Sequence, residues 1–140
     1  MTKYQDFLKN ITECPFCENR KKVIFESKES FLTYALWPYH AHHLLIVPKR
    51  HVESLSELTE EEKGDIDFMQ EKALEILKKL GYANITHMVR EGKDNKAINH
   101  VHFHTIPNIR IGDLDHYGQE RMELTEEGIQ KTIKDIQKFL

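Results

Sequence analysis

Three histidines alternate with apolar residues in the stretch His100-Val101-His102-Phe103-His104. Side chains on a β-strand alternate between its two faces, so this spacing predicts three imidazoles on one face, with Val101 and Phe103 in the core. A strand rises about 3.3 Å per residue, which separates the outer two histidines by about 13 Å. A single tetrahedral ion with metal–nitrogen bonds of about 2 Å would not hold all three. The pattern therefore predicts a site in which the three rings have different tasks.

A second candidate site begins with the motif Cys14-Pro15-Phe16-Cys17. Two thiolates separated by two residues can bind one zinc ion, but a complete site needs two further ligands from elsewhere in the chain. The cysteines could instead form a redox pair, although no strand pattern precedes Cys14 as it usually does in thioredoxin-like motifs. They could also be free thiols. The motif alone leaves these three interpretations open.

These motifs resemble those of the histidine triad (HIT) family, whose signature is His-φ-His-φ-His-φ-φ with φ apolar. Here the signature ends in Thr105-Ile106, and Thr105 is its one weakly apolar position. The stretch from His43 to His51, His-Leu-Leu-Ile-Val-Pro-Lys-Arg-His, is similar to the family's second hallmark, with His42 at the usual glycine position. The preceding Pro38-Tyr39 is most similar to the branch that contains diadenosine polyphosphate phosphorylases and hydrolases. The resemblance covers roughly residues 12–113.

The resemblance implies a nucleotidyl hydrolase or transferase with His102 as nucleophile. A neutral imidazole can attack phosphorus, and the α-phosphate of a nucleoside phosphate would form a nucleotidyl-histidine. His104 would donate to a non-bridging phosphate oxygen and offset the charge that develops there. The expected nucleotide-binding residues are His43, Tyr39, Asn99 and His104.

The resemblance also implies one structural zinc ion per chain. In zinc-containing relatives the ion is held by a C-x-x-C pair, the first triad histidine and the histidine after the Pro-Lys stretch. Carried over to this chain, the ligands are Cys14, Cys17, His51 and His100. A Cys₂His₂ set fills the coordination of zinc and is typical of a structural site.

Two positions depart from the family pattern. Many relatives carry a ribose-binding acidic residue at a position that aligns near Ala35 of this chain, so Tyr39 or His40 could contact the ribose instead. Many also have Gln or Ser-Gln before the triad, where this chain reads Lys-Ala-Ile-Asn over residues 96–99. Lys96 or Asn99 could replace that side chain.

Hydrophobic periodicity predicts an α+β domain spanning residues 1–140. Short connections between the strands favour a five-stranded, mostly antiparallel sheet with helices packed on it, as in the HIT fold. Thr59 and Glu62 form a capping box for a long helix whose apolar face carries Ile66, Met69, Ala73, Leu77 and Leu80. The predicted strands are 22–27, 31–36, 43–48, 84–90 and 100–107, and the predicted helices include 59–80 and 125–140.

Composition excludes several other classes of protein. The net charge of −3 in 140 residues gives no reason to expect a nucleic-acid polymer as partner. The longest apolar run, Leu44 to Val47, is too short to cross a membrane, and the first residues contain no signal-peptide pattern. Two cysteines without a secretion signal favour a reducing compartment and predict a cytoplasmic protein. The resemblance further predicts a homodimer with helix 59–80 at or near its interface.

Two other functions compete with the enzyme. A HIT-like domain could bind nucleotides without turning them over, and the missing ribose and loop ligands favour that alternative slightly. The nine histidines could instead belong to a plain metal-binding protein, which would bind more than one zinc ion and no nucleotide. The intact triad favours catalysis.

Overall fold

A computed structural model describes residues 3–18, 20, 22–35, 37–109 and 125–139, without the side chains of residues 4 and 136. Within these ranges the strands form a five-stranded sheet in the order β1-β2-β3-β5-β4, with every neighbouring pair antiparallel. This confirms the predicted α+β class and sheet. The strands are β1 (Val23–Glu26), β2 (Ser30–Tyr34), β3 (Leu44–Pro48), β4 (Ile85–Val89) and β5 (Phe103–Pro107).

The long helix lies across one face of the sheet. It runs from Glu60 to Lys79 and begins with the predicted capping box, in which the Thr59 hydroxyl accepts from the Glu62 N–H and the Glu62 carboxylate accepts from the Thr59 N–H. Of the predicted apolar face, four residues are buried, but Leu80 is 53% exposed. Leu80 is the C-cap, so it lies beyond the last turn that packs on the sheet. The helices are α1 (Lys3–Lys9), α2 (Pro15–Glu18), α3 (Glu60–Lys79) and α4 (Glu126–Gln137), with 3₁₀ turns at Leu55–Glu57 and Lys93–Asn95.

The two faces of the sheet have separate apolar clusters. On strand β3, Leu44 and Ile46 pack with Val101 against the α3 side, whereas Leu45 and Val47 pack with Phe16 on the opposite side. This alternation follows from the strand pleat. Cross-strand pairing places His104 opposite Leu45, so the histidine lies on the face away from α3.

The strand predicted for the triad is shorter than expected. Strand β5 begins at Phe103, so His100 and His102 precede it, and only His104 of the three histidines is part of the regular strand. The cause is that the chain leaves β3 there. The Val101 N–H donates to the Val52 carbonyl at 2.7 Å, so the backbone follows the segment after β3 rather than the strand itself.

The described helices include none with the length and apolar content needed to cross a bilayer. The C-x-x-C motif overlaps the single helical turn α2, which runs from Pro15 to Glu18. Pro15 is its first residue, a position where the missing N–H of proline costs no hydrogen bond.

Candidate active site and metal cluster

A cavity of about 290 Å³ opens on the sheet face away from α3. Two triad members, His102 and His104, line it together with His43 and the aromatic side chains of Trp37 and Tyr39. The remaining lining residues are Phe16, Ala35, Pro38, Leu45, Arg90, Ala97 and Ile98. The cavity is therefore apolar on most sides, with the imidazoles concentrated at one wall.

A chain of hydrogen bonds orients His104. The Tyr39 N–H donates to His43 Nδ1 at 3.0 Å, so a neutral His43 carries its proton on Nε2. That Nε2 lies 2.9 Å from His104 Nδ1 and must donate to it. Neutral His104 therefore carries its own proton on Nε2. Its ring can donate one hydrogen bond to a ligand in the cavity.

The ring of His102 has the opposite tautomer. Its Nδ1 lies 2.7 Å from the His100 carbonyl oxygen, which can only accept, so Nδ1 carries the proton. Nε2 of the neutral ring then has a free lone pair. The His102 and His104 ring centroids are 5.0 Å apart. The site thus places one nucleophilic nitrogen next to one N–H donor.

Burial keeps these imidazoles neutral. Burial lowers the pKa of His43 to about 4, with a smaller effect from the charge of His102. Burial lowers the pKa of His104 to about 3, and the charges of His102, His43 and Arg90 act in the same direction. The pKa of His102 is also lowered, chiefly by burial. A neutral His102 is the form that can act as a nucleophile at neutral pH.

The four predicted zinc ligands form a second site, the metal cluster, which consists of Cys14, Cys17, His51 and His100. Their nearest ligand atoms all lie within 4.8 Å of one another. Cys14 Sγ lies 3.2 Å from His100 Nδ1, and Cys17 Sγ lies 3.3 Å from His51 Nδ1 and 3.6 Å from His100 Nδ1. Tetrahedral zinc, with bonds of about 2.3 Å to sulfur and about 2.0 Å to nitrogen, would separate sulfur and nitrogen by about 3.5 Å. The cluster therefore has the donor types and spacing to bind a metal ion.

Contacts at their Nε2 atoms orient the two histidines of this cluster. The Pro48 carbonyl accepts from His100 Nε2 at 2.9 Å, and the Glu53 carboxylate lies 3.4 Å from His51 Nε2. Each contact leaves the Nδ1 lone pair directed at the cysteines, as in many metal sites. Burial raises the pKa of the Cys17 thiol to about 11, with a further contribution from Cys14. A bound cation would reverse this effect by stabilising the thiolate.

The two sites are joined through His100. Its ring belongs to the metal cluster, while its carbonyl oxygen holds the His102 ring in place. Phe16, which lies within the C-x-x-C motif, also contacts both rings, with centroids 5.6 Å from His100 and 5.2 Å from His102. Any shift of the metal cluster would therefore reach His102 through the backbone and through an aromatic contact.

Of the other predicted nucleotide-binding residues, Tyr39 lines the cavity and Asn99 does not. Tyr39 stacks on His43, with ring centroids 5.7 Å apart, and lines the cavity. Asn99 does not line it, because its amide donates to the Glu53 carboxylate at 2.9 Å beside the metal cluster. Lys96 Nζ donates to the Glu53 carbonyl oxygen. A nucleotide role for Asn99 stays a prediction, and its location favours support of the metal cluster instead.

Sequence reasoning missed Arg90. It follows β4, which was predicted as residues 84–90, and it lines the same cavity as His102 and His104. Strand alternation was the available signal, since Arg90 and Met88 share a face and Met88 pairs with His104. That signal assigns Arg90 to the site only once β4 is known to lie beside β5. Ala35 also lines the cavity, and no carboxylate is among the described residues that line it.

An antiparallel α+β sheet with histidines linked across one face is the architecture expected of a histidine triad. The HIT-domain sequence model matches residues 17–111, and the chain belongs to the HIT family. It is 29% identical over 130 residues to an uncharacterised HIT-like protein of Methanocaldococcus jannaschii, covering 88% of this chain and 98% of that protein. It is 25% identical over 126 residues to a bis(5'-adenosyl)-triphosphatase of Dictyostelium discoideum, covering 89% of this chain and 84% of that one.

Solved structures agree with the fold. The crystal structure of a histidine triad nucleotide-binding protein from Candida albicans superposes with a TM-score of 0.70 at 20% identity. The match covers 90% of this chain and 96% of the Candida albicans chain.

Proposed function

We propose that this protein is a nucleotidyl hydrolase or transferase that acts at the α-phosphate of a nucleoside phosphate. The observation that carries the proposal is the unprotonated Nε2 of His102, held at the cavity by the His100 carbonyl. The similarity to a bis(5'-adenosyl)-triphosphatase supports a dinucleoside polyphosphate as one substrate class. A nucleoside phosphoramidate is the other class that the same chemistry would accept.

The reaction takes place in two displacements. In the first, His102 Nε2 forms a bond to the α-phosphorus while the bond from phosphorus to the leaving group breaks. In the second, water or another acceptor forms a new bond to phosphorus, the N–P bond breaks, and the imidazole is neutral again once the acceptor has lost its proton. The Nε2–H of His104 donates to a non-bridging oxygen during both steps, which offsets charge in the transition state.

The aromatic wall of the cavity is suited to a nucleobase. Tyr39, Trp37 and Phe16 line the cavity together with the imidazoles, and the Phe16 ring centroid lies 5.2 Å from that of His102. Aromatic side chains stack on bases of any kind, so this wall predicts binding with little base preference. With no carboxylate among the described lining residues, ribose contacts would come from Tyr39 or backbone groups rather than from an acidic side chain.

We also propose that the metal cluster holds one structural zinc ion through Cys14, Cys17, His51 and His100. All four positions would be occupied by protein ligands, so the ion would stabilise the fold around the catalytic histidine and take no part in the displacement. A Cys₂His₂ set is a common donor set for zinc.

Trapping of the covalent intermediate tests the catalytic proposal. The protein is incubated with adenylated compounds, quenched in alkali, where phosphohistidine bonds survive, and analysed by peptide mass spectrometry. We expect an adenylyl group on the peptide that contains His102, and no adduct in His102→Asn. Nucleotide affinity without an adduct or turnover would overturn the enzyme in favour of a binding module.

A further inference from the structure

Arg90 lies in the lining of the cavity that contains His102 and His104. The pairing of β4 with β5 runs from Ile85 opposite Pro107 to Val89 opposite Phe103. The regular pairing ends at Val89 and Phe103, and one further step in the same register would set Arg90 opposite His102. Side-chain alternation directs it to the same face as Met88 and His104, and Arg90 lines the cavity together with both histidines.

No acidic side chain balances the charge of Arg90 among the described residues that line the cavity. Among the described residues that line the cavity, it is the one with a full positive charge at neutral pH, and none of them is acidic. The described parts of the chain also place no carboxylate within ion-pair distance of its guanidinium. Because burial keeps His43 and His104 neutral, neither ring can neutralise a polyphosphate. His104 can donate one hydrogen bond to it, whereas the single N–H of neutral His43 already donates to His104.

We propose that Arg90 binds the anionic oxygens of the leaving group and so selects substrates that release a phosphate-ended leaving group, such as a dinucleoside polyphosphate, over phosphoramidates that release a neutral amine. This inference rests on the function proposed above. A guanidinium presents a planar fork of donors that matches two phosphate oxygens, and it retains its charge when water is excluded. Charge builds up on the leaving oxygen as the P–O bond breaks, so the contact strengthens in the transition state. A departing amine, which leaves as a neutral molecule, gains nothing from it.

The test compares two substrates that share the adenylyl group. Diadenosine triphosphate releases ADP, and an adenosine 5'-phosphoramidate releases an amine, while both yield AMP on hydrolysis. The value of kcat/KM is measured for each with wild type, Arg90→Gln and Arg90→Lys. Lys93→Gln is the matched control, because it removes one positive charge from an exposed position in the loop that follows Arg90.

For Arg90→Gln we expect kcat/KM to fall about 100-fold or more with diadenosine triphosphate and about tenfold or less with the phosphoramidate. The ratio between the two substrates should therefore fall at least about tenfold. Arg90→Lys retains a positive charge but loses the planar pair of guanidinium donors. Its ratio of kcat/KM between the two substrates should therefore lie between the ratios of wild type and Arg90→Gln. Lys93→Gln should keep the wild-type ratio. If the melting temperature shows that Arg90→Gln does not fold, the test rests on Arg90→Lys. A ratio of kcat/KM between the two substrates below that of wild type then supports the proposal, and an unchanged ratio overturns it.

Each outcome separates this inference from the proposed function. Equal losses with both substrates, or no loss with either, would overturn the role of Arg90 and leave the enzyme intact. Wild type that forms the His102 adduct only with the phosphoramidate would also overturn it. A wild-type protein that forms no adduct and turns over neither substrate would overturn the proposed function, and this inference with it.

Discussion

The tautomer of each triad ring is set by a hydrogen bond from its other nitrogen. His100 donates to the Pro48 carbonyl, His102 donates to the His100 carbonyl, and His104 accepts from His43. Three identical side chains therefore present three different groups: a lone pair directed at the two cysteines, a lone pair directed at the cavity and an N–H donor. This division follows from the partners and not from the residue type.

At this scale we predict that His102→Asn abolishes turnover. Asparagine retains a polar side chain of smaller volume but has no nucleophilic nitrogen, so kcat should fall by about three orders of magnitude or more. Nucleotide affinity and the melting temperature should change little, which calorimetry and circular dichroism would measure. His87→Asn is the control, because that histidine contacts Thr105 away from the cavity. Near-normal kcat in His102→Asn would refute the nucleophile.

A second prediction concerns acid stability. The pKa of His104 falls from 6.5 to about 3 on folding, and that of His43 falls to about 4. Between these values and 6.5 the unfolded chain binds more protons, so the free energy of unfolding rises with pH in that window. The contribution is complete above about pH 6.5 and is lost as the pH falls, down to about pH 4 for His43 and about pH 3 for His104. Urea unfolding at about pH 5 and about pH 7 measures the slope. His104→Gln should show a smaller difference than wild type, and an identical difference would contradict the neutral buried ring.

At the scale of elements, the metal cluster joins three segments that are distant in the chain. It links the turn α2 and the cysteine before it, the segment that follows β3 and the segment before β5. The chain between Cys17 and His51 closes a loop of 34 residues, and that between Cys14 and His100 closes one of 86. A bound ion constrains both loops, so the free energy of metal binding becomes free energy of folding.

We therefore predict that Cys14→Ser lowers both the melting temperature and the activity. The melting temperature falls because a ligand to the ion is lost, and kcat falls because the His100 carbonyl that orients His102 is no longer held firmly. Chelation of the wild-type protein should reproduce both effects, and His87→Ala should produce neither. Elemental analysis should find one zinc ion per chain. A metal-free, active protein in which Cys14→Ser is as stable as wild type would remove the zinc proposal.

At the scale of the whole molecule, the sheet leaves surfaces available for assembly. Strand β4 is an edge of the described sheet, and α3 carries Phe68 with 45% of its surface exposed. An open edge and an exposed aromatic side chain are features that a symmetric contact would cover.

We predict a homodimer with α3 at or near its interface. Light scattering at micromolar concentration should give twice the chain mass of 16.6 kDa. Phe68→Glu should shift the mass toward the monomer by placing a charge in an apolar contact, while Glu60→Gln, a change at a highly exposed side chain at the start of the same helix, should not. A monomer mass for wild type would count against this arrangement.

The local elements could be predicted because their signals lie within a few residues. The capping box at Thr59, the helical period from Ile66 to Leu77 and the apolar run of β3 are short-range patterns, and each was confirmed with boundaries shifted by one or two residues. The resemblance carried by the triad, the C-x-x-C pair and the stretch from His43 to His51 indicated the family and the metal ligands in the same way.

Tertiary structure alone decided the rest. The start of β5 at Phe103 depends on the hydrogen bond from Val101 to Val52, which nothing near the triad predicts. The cavity position of Arg90 depends on β4 lying beside β5. The orientation of Asn99 toward Glu53 depends on the loop from β4 to β5 lying beside the segment that follows β3. Each of these features is a contact between residues far apart in the chain. A local pattern gives the face and type of a residue, but its partner across the fold is determined only when the strands pair and the loops close.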